Sequence, residues 1–413
     1  MRDSPRTPAS EGGREENERG SNMESTKKKG LPVFIGVASV WMGTHFGPGV
    51  ASGTQLNEYY VNYGLPGIIM TVVAMGILAF ALYCSMEFSR IYKAYDYESW
   101  VTKLFNNKYV VILFDISFFV TIISAAGGSL NAIATLLHDF WGVNYWLGVA
   151  IVIVVSMLLC AFGAELVRKS SAYMMFVVVG VLLLIMVLIV SAGDADLAGS
   201  IANQVQNLPG ADWSAGNWLG ALWRAIIYGS FQATIVANIA SVADTLPDRR
   251  ESKKAAVTGY LANTLLLIVL CMMLFSFTNV YAITDEELPF YSMLVRLDMS
   301  WLTVVYIIVV FIAVISTVVG FAFAGVARFG KYYRPAGKKH LAHPLRDALF
   351  VLVLLGACAA ISQVGIMNIV KYGYQLLGYI NLFVIVLPAL IIGGRKISKK
   401  YLREHNIDAP GIE

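Results

Sequence analysis

The sequence predicts an all-α polytopic membrane protein, and three observations support that fold class. Of the 413 residues, 57% are hydrophobic and 14% are charged, whereas a soluble domain carries roughly 25% charged residues. Apolar stretches about 20 residues long recur along the chain, and each could cross a bilayer as a helix. Basic residues fall mainly between alternate stretches. This composition excludes a disordered protein and argues against a soluble enzyme or a nucleic-acid-binding protein.

The apolar stretches define ten predicted spans. They cover residues 33–62, 65–92, 109–137, 145–163, 170–192, 217–244, 254–281, 299–328, 346–362 and 365–393. Residues 1–29 are polar and lack the apolar run of a signal peptide, so we expect a disordered cytoplasmic tail there. Residues 395–413 are expected to form a C-terminal cytoplasmic tail.

The positions of lysine and arginine predict the orientation of the spans, because these residues concentrate on the cytoplasmic side of a membrane. With ten spans and a cytoplasmic N-terminus, every Lys and Arg except Arg224, Arg296 and Lys371 falls in or next to a cytoplasmic segment. One missing or extra span would destroy this alternation. We therefore expect ten spans with both termini in the cytoplasm.

The spans divide into two halves of five, residues 30–193 and 217–394, joined by an extracellular loop at 194–216. An odd number of spans per half requires the second half to be inverted, which is typical of transporters. The first span of each half contains helix-breaking residues, Gly47-Pro48-Gly49 in one and Gly229-Ser230 in the other. Two interruptions at equivalent positions favour a binding site over a simple kink.

The first interruption has a direct physical cause. Pro48 lacks a backbone N–H and clashes with the preceding turn, and the glycines lower the cost of leaving the helix. Backbone groups released in mid-membrane must be satisfied by protein, water or ligand. Released N–H groups suit an anionic group and released carbonyls suit a cation.

These features resemble the LeuT-type five-plus-five inverted repeat of the amino acid–polyamine–organocation superfamily, over about residues 30–395. Residues 47–55, followed by Tyr63-Gly64, look like the glycine-rich first helix of the uncharacterised YkvI-like bacterial membrane proteins. Thr54-Gln55-Leu56 departs from the Gln-Glu common in that family. The resemblance implies a secondary transporter of the bacterial inner membrane that works by alternating access, with helices 1 and 6 discontinuous.

The resemblance also implies a sodium site between the first and eighth spans. Its ligands would be backbone carbonyls of Gly43 and Phe46 together with the Ala-x-x-Ser-Thr run that contains Ala313, Ser316 and Thr317. The alternative for the two hydroxyls is a bond to the preceding turn of their own helix. Proton coupling through His45 or an intramembrane carboxylate is the alternative to sodium.

Substrate contacts are expected where the two interruptions meet. The candidates are Gly49, Ser52, Gly53, Thr54, Asn131, Tyr228, Gly229, Ser230, Phe231 and Gln232. For Asn131 the alternative role is a polar contact between helices, and for the aromatic residues it is core packing. Charges inside spans are costly, so Glu58 and Arg224 are a candidate outer gate pair or candidate contacts for a charged substrate. The alternative is that their side chains snorkel into the outer vestibule.

The sequence thus predicts a cation-coupled transporter of a small polar solute such as an amino acid or related zwitterion. We expect no cofactor apart from sodium as the coupling ion. The partners are the lipid bilayer, the solute and the cation, with no nucleic acid and with the oligomeric state left open. A membrane-embedded enzyme is the alternative from another class, but the five histidines are scattered and no P-loop is present, so we expect a protein that is not an enzyme.

Overall fold

The computed structural model describes residues 32–107, 109–162, 164–333 and 344–407, with 409 and 411. The predicted N-terminal tail, residues 1–29, lies outside the described residues. In the described part of the chain the regular secondary structure is helical, without strands. The segment predicted as the C-terminal tail contains a short helix between Lys399 and Glu404, which Ser398 caps by accepting a hydrogen bond from the Tyr401 N–H.

The helices of the first half run from the N-terminal side of the chain to the central loop. They are α1 (Val33–His45), α2 (Pro48–Ala51), α3 (Thr54–Tyr59), α4 (Gly64–Ile69), α5 (Thr71–Tyr92), α6 (Tyr97–Phe105), α7 (Val110–Trp141), α8 (Tyr145–Phe162) and α9 (Ala164–Ala192).

The central loop and the second half continue this pattern. Their helices are α10 (Leu197–Ala202), α11 (Gln204–Asn207), α12 (Ala215–Phe231), α13 (Val236–Val242), α14 (Arg249–Phe275), α15 (Pro289–Arg296), α16 (Ser300–Tyr333), α17 (Pro344–Ser362), α18 (Ile366–Lys396) and α19 (Lys399–Glu404).

Seven helices among the described residues are long and apolar enough to cross a membrane, and they coincide with seven predicted spans. The other three predicted spans coincide with shorter apolar helices, Val33–His45, Tyr145–Cys160 and Val177–Ala192. The membrane-protein fold class is therefore confirmed, and the count of ten spans stays a prediction.

The first span leaves helical geometry where the sequence places its glycines and proline. Helix α1 ends at His45, Gly47 is extended with φ −80° and ψ −178°, and Pro48 begins α2. Gly53, with φ +89°, then separates α2 from α3. This left-handed conformation favours glycine, and a Cβ there would also come within 3.2 Å of Pro289.

The sixth span behaves differently from the sequence expectation. Gly229 and Ser230 lie inside the regular part of α12, and the helix tightens into a 3₁₀ segment only at Gln232–Ile235 before α13 begins. Gly229 instead permits close packing, since a Cβ there would lie 2.7 Å from the Ala74 carbonyl oxygen. Without a proline, this segment retains its helical hydrogen bonds.

The long helices pack into two groups around the interrupted span. Helices α1, α5, α12 and α14 form one group, in which α14 packs along α1 and α5. Helices α7, α8, α16 and α17 form the other, in which α7 packs along α16 and α17. The short helix α2 contacts α7 and α16, so the interruption lies against the second group.

The helical unit has two ends, which we call the terminal face, where the last span ends near Lys396, and the loop face, where the central loop lies. At the terminal face, Lys396 Nζ donates to the Lys103 carbonyl oxygen at 2.8 Å and the Tyr92 hydroxyl donates to the Lys396 carbonyl oxygen. At the loop face, the Leu65 N–H donates to Gln204 Oε1 at 2.9 Å. Helix α6 lies at the terminal face and α15 at the loop face.

Candidate functional site

A cavity of about 330 Å³ lies at the interruption of the first span. It is formed by α1, α2 and α3, the α12–α13 segment, and helices α7, α16 and α18. The lining residues are Gly43, Thr44, His45, Gly47, Pro48, Gly49, Gln55, Phe118, Thr121, Ala125, Ser129, Phe231, Gln232, Thr234, Ile235, Ala237, Asn238, Ser316, Thr317, Gly320, Phe321, Ala324 and Tyr374.

The cavity opens toward the terminal face. Among its lining residues, Gly43, Thr44, Asn238 and Gly320 are exposed. Gly43 and Thr44 precede the interruption on a helix that enters from the terminal face, and Asn238 lies beyond the 3₁₀ segment of the sixth span. A solute could therefore reach the interruption from this side.

The loop-face side of the cavity is sealed by aromatic rings. Tyr59, Tyr60 and Tyr228 are fully buried. The Tyr60 and Tyr228 ring centres are 5.0 Å apart, and Phe231 and Tyr374 stack at 4.6 Å with their planes 10° apart. Rings packed in this way contribute roughly 0.5–1.5 kcal/mol per pair beyond their buried area. The seal is thus a packed hydrophobic layer.

His45 joins three spans at the edge of this seal. Its Nδ1 lies 2.7 Å from Asn263 Oδ1, and its Nε2 lies 2.9 Å from the Tyr228 hydroxyl. Asn263 uses its Nδ2 to donate to the Gly259 carbonyl oxygen, so its Oδ1 must accept and the Nδ1 of His45 must donate. In the neutral ring, Nε2 then accepts from Tyr228, and both nitrogens of His45 are engaged.

The residues expected to bind sodium are only partly brought together. Gly43, Ser316 and Thr317 line one cavity. Phe46 and Ala313 are buried and do not line it. Backbone and hydroxyl oxygens suit a hard cation such as sodium, so the three lining residues fit such an ion. Among the described residues, no cluster of three His, Cys, Asp or Glu side chains could hold a metal ion.

Three of the ten expected substrate residues, Gly49, Phe231 and Gln232, line the cavity. Ser52 and Thr54 instead attach the first span to the loop before α15. Thr54 Oγ1 donates to the Glu287 carbonyl oxygen at 2.7 Å, and the Phe290 N–H donates to the Ser52 carbonyl oxygen at 3.2 Å. Gly53 packs against the same loop, and Ser230 is fully buried outside the cavity lining.

Asn131, another expected substrate residue, lies outside the cavity and joins helices. Its Nδ2 donates to the Ser362 carbonyl oxygen at 3.0 Å, and its Oδ1 accepts from the Ile366 N–H at 2.9 Å. These bonds hold α7 against the turn between α17 and α18. Tyr228 also lies outside the cavity lining. It belongs to the aromatic seal, and its hydroxyl is hydrogen-bonded to His45.

Several lining residues were not singled out by the sequence. Thr121, Ala125 and Ser129 lie four residues apart on α7 and present one face of small side chains to the cavity. That spacing is visible in the sequence and could have indicated a lining face. Gln55 and Tyr374 also line the cavity, but only tertiary packing brings these two positions together.

Glu58 and Arg224 meet at the loop-face side of the seal, as predicted for an outer gate. Arg224 Nη2 lies 3.4 Å from Glu58 Oε1. The same guanidinium donates to the Tyr63 hydroxyl at 3.0 Å and to Gln375 Oε1 at 3.1 Å. It therefore joins residues of the first, sixth and last spans just outside the aromatic layer. The gating role itself stays a prediction.

A buried ion cluster supports each helix group near the terminal face. In one, Glu87 accepts from Arg90 and Arg249, each at 3.0 Å. In the other, Arg328 donates to both carboxylate oxygens of Asp115, at 2.5 and 2.9 Å. Removing one partner of such a pair leaves an uncompensated buried charge, so each cluster fixes the arrangement of its own helices.

No family model matches the chain. The chain is similar to the uncharacterized membrane protein YkvI of Bacillus subtilis, with 23% identity over 347 residues, which cover 84% of this chain and 92% of YkvI. It is therefore a distant homologue of a YkvI-type membrane protein, as its glycine-rich first helix indicated.

Two solved structures have a similar fold. A variant of the Eremococcus coleocola manganese transporter gives a TM-score of 0.55 at 14% identity, covering 90% of this chain and 83% of the transporter. A Na⁺-coupled sialic acid symporter gives 0.56 at 12% identity, covering 87% and 79%. The LeuT fold is thus confirmed. These proteins are named as transporters and YkvI as a membrane protein, in agreement with the expectation of a non-enzyme.

Proposed function

We propose that this protein is a secondary active transporter that moves a small polar solute across the membrane by alternating access. The observation that carries the proposal is the cavity at the interruption of the first span, which is lined by polar groups, open to the terminal face and sealed toward the loop face. A channel would need a continuous path. A cavity with one open side is suited to a carrier that exposes its site to each side in turn.

The same geometry indicates which parts would move. Helix α1 ends at the extended Gly47, and the short helix α2 separates α1 from the α3 segment of the seal. The two ion clusters lie within the two helix groups. We infer that the groups move largely as units, with Gly47 and the 3₁₀ segment at Gln232–Ile235 as the flexible joints.

The coupling ion is proposed to be sodium. Support comes from the oxygen-bearing residues Gly43, Ser316 and Thr317 in the cavity lining and from the similarity in fold to a Na⁺-coupled symporter. The solute is proposed to be small and polar, with amino acids and related zwitterions as the class that the sequence suggested.

A specific observation favours the proton as the second candidate. His45 is bonded to Asn263 and Tyr228 at the boundary between cavity and seal. Protonation would turn Nε2 into a donor, and the Tyr228 hydroxyl would then have to redirect its own hydrogen. A proton on His45 would thereby disturb the seal.

The experiment is flux into liposomes that contain the purified full chain. Sodium coupling predicts accumulation driven by an inward sodium gradient in the absence of a pH gradient, with an increased sodium requirement in a Ser316→Ala, Thr317→Ala double variant. Proton coupling predicts the reverse dependence, abolished by His45→Gln. Absence of saturable uptake of every solute tested, with either gradient, would contradict transport.

A further inference from the structure

The lining of the cavity constrains the chemistry of the solute, and this inference rests on the proposed function. We propose that the solute is uncharged and flat, with an N–H or O–H donor and with neither a carboxylate nor an ammonium group. Heterocyclic amides such as uracil belong to this class. This proposal restricts the small polar solute of the proposed function to uncharged molecules. It differs from the sequence-based prediction, which was a zwitterion.

The first observation is the absence of charge from the lining. Within the described part of the chain, the cavity is lined by no Asp, Glu, Lys or Arg. His45 is present, but both of its ring nitrogens are bonded to protein groups. A carboxylate or ammonium group of a solute would lose its hydration in such a site without gaining an opposite charge from a side chain.

The second observation concerns the backbone at the interruption, which could otherwise hold a carboxylate. The N–H groups of Val50 and Ala51 both donate to the Gly47 carbonyl oxygen at 3.0 Å, and that of Ser52 donates to Pro48 at 2.8 Å. Pro48 itself has no N–H. The amide donors that an anion would need are therefore largely used within the chain, contrary to the expectation from the sequence.

The third observation is an acceptor that lacks a donor. Gln55 lines the cavity and is 4% exposed, and its Oε1 is buried without a hydrogen-bond partner. Its amide contacts the Tyr374 hydroxyl and packs closely on Gly49, where a Cβ would lie 2.1 Å from Nε2. The Oε1 atom has almost no accessible surface in this state, so a ligand N–H or O–H would supply its missing donor once the amide turns toward the cavity.

The fourth observation is the aromatic layer beside that acceptor. Tyr59, Phe231 and Tyr374 form a stack of nearly parallel rings, and the last two line the cavity. A flat apolar face packs well on such rings. A solute with a flat ring and a donor on its edge satisfies the aromatic layer and the Gln55 oxygen together.

The test is ligand binding by the purified full chain in detergent, measured by calorimetry and by the shift of the unfolding midpoint. The probes are uracil and nicotinamide as uncharged flat amides, glycine and L-phenylalanine as zwitterions, and benzoate as a flat anion. We expect at least one flat amide to bind at least about tenfold more tightly than every charged probe. If uracil is the amide that binds, 1,3-dimethyluracil, which lacks the N–H donors, should bind at least about tenfold more weakly than uracil.

Variants then assign the contact. Gln55→Met should weaken binding of the flat amide by about tenfold, and Phe231→Leu should weaken it by a few fold. Ser156→Ala is the matched control, since it also removes a buried oxygen without a partner, here a hydroxyl, but lies on α8, outside the cavity lining. The dimethyluracil comparison uses the unaltered protein and so does not depend on the folding of Gln55→Met.

Tighter binding of a zwitterion or of benzoate, failure of both flat amides to bind, or unchanged binding in a folded Gln55→Met variant would overturn this proposal. Transport is judged separately by the flux experiment. Saturable uptake of an amino acid would overturn the proposal for an uncharged solute while leaving the transporter function intact. Flux of no solute would contradict the function itself.

Discussion

The two sides of the central cavity differ in both chemistry and packing. Toward the loop face, Tyr59, Tyr60 and Tyr228 are fully buried, and the pair Glu58–Arg224 lies behind them. Toward the terminal face, the walls carry small and hydroxyl side chains such as Thr44 and Gly320, which are exposed. Large aromatic rings close the cavity toward the loop face, and small residues leave it open toward the terminal face. The structure thus has the form of one of the two states that the proposed carrier would need.

The largest expected effect concerns access to the two sides. Asn238→Cys, in the open mouth, should react with a membrane-impermeant maleimide at least about a hundredfold faster than Ser52→Cys, which is buried where the first span meets α15. The reason is that Asn238 is exposed and Ser52 is fully buried. Mass spectrometry of labelled vesicles measures both rates.

Three natural cysteines, Cys84, Cys271 and Cys358, are buried and free and provide the control for this comparison, and the partly exposed Cys160 is replaced by serine in every variant. Labelling of Asn238→Cys from the cytoplasmic side of sealed vesicles would also support the predicted orientation. Equal rates at the two positions would contradict a cavity with one open side.

The next effect tests the floor of the cavity. Gly49→Leu should lower solute binding by more than about a hundredfold, because any Cβ at Gly49 would collide with the Gln55 amide and the larger side chain would fill the cavity. Gly36→Leu is the matched control, since Gly36 lies on α1 with open space around its Cβ position. Binding measured by calorimetry at full affinity in Gly49→Leu would remove the interruption from the site.

A smaller effect is expected from the ion pair behind the seal. Arg224→Gln should increase the labelling rate of Ser52→Cys by about fivefold, since a partly exposed pair of this kind contributes about 1 kcal/mol or less. The control is Arg296→Gln, which removes an exposed arginine from α15. If labelling is unchanged in Arg224→Gln, the aromatic rings alone close the loop face.

The smallest effect is a pH dependence at the loop face. Burial raises the pKa of Glu287, whose carboxylate accepts from the Ile366 N–H at 3.0 Å. The folded protein therefore binds this proton more tightly than the unfolded chain, and stability should fall as pH rises from the unfolded-state pKa to the folded one. Glu287→Gln retains an acceptor but cannot take up this proton, so the unfolding midpoint of the variant should depend less on pH than that of the unaltered protein. An unchanged slope would contradict this assignment.

Much of the fold could be predicted from the sequence, because the determinants are local. An apolar run needs only its own hydrogen bonds to form a helix in a bilayer, so the predicted spans coincide with observed helices. Gly47-Pro48-Gly49 marks the end of α1 for an equally local reason. The same reasoning was less accurate at Gly229, where glycine permits close packing on Ala74 while the helix continues.

The site could be predicted only in part, because its members come from distant positions. His45 and Asn263 are 218 residues apart, and Gln55 and Tyr374 lie in the first and the last span. Ser52, Thr54 and Asn131 have side chains suited to a ligand, but in the structure these residues bond to the α15 loop and to neighbouring helices. Residue type alone does not decide whether a polar group meets a ligand or another helix.

The sequence by itself determined the membrane class, the positions of the helices and the place where the first span is interrupted. Hydropathy and the missing N–H of Pro48 act within a few residues, so their effects can be predicted from the sequence. Only the tertiary structure decided which side of the cavity is open, that its lining carries no formal charge in the described residues, and that Gln55 is left with an unpartnered acceptor. Those properties depend on which side chains meet across helices, and packing in three dimensions sets them.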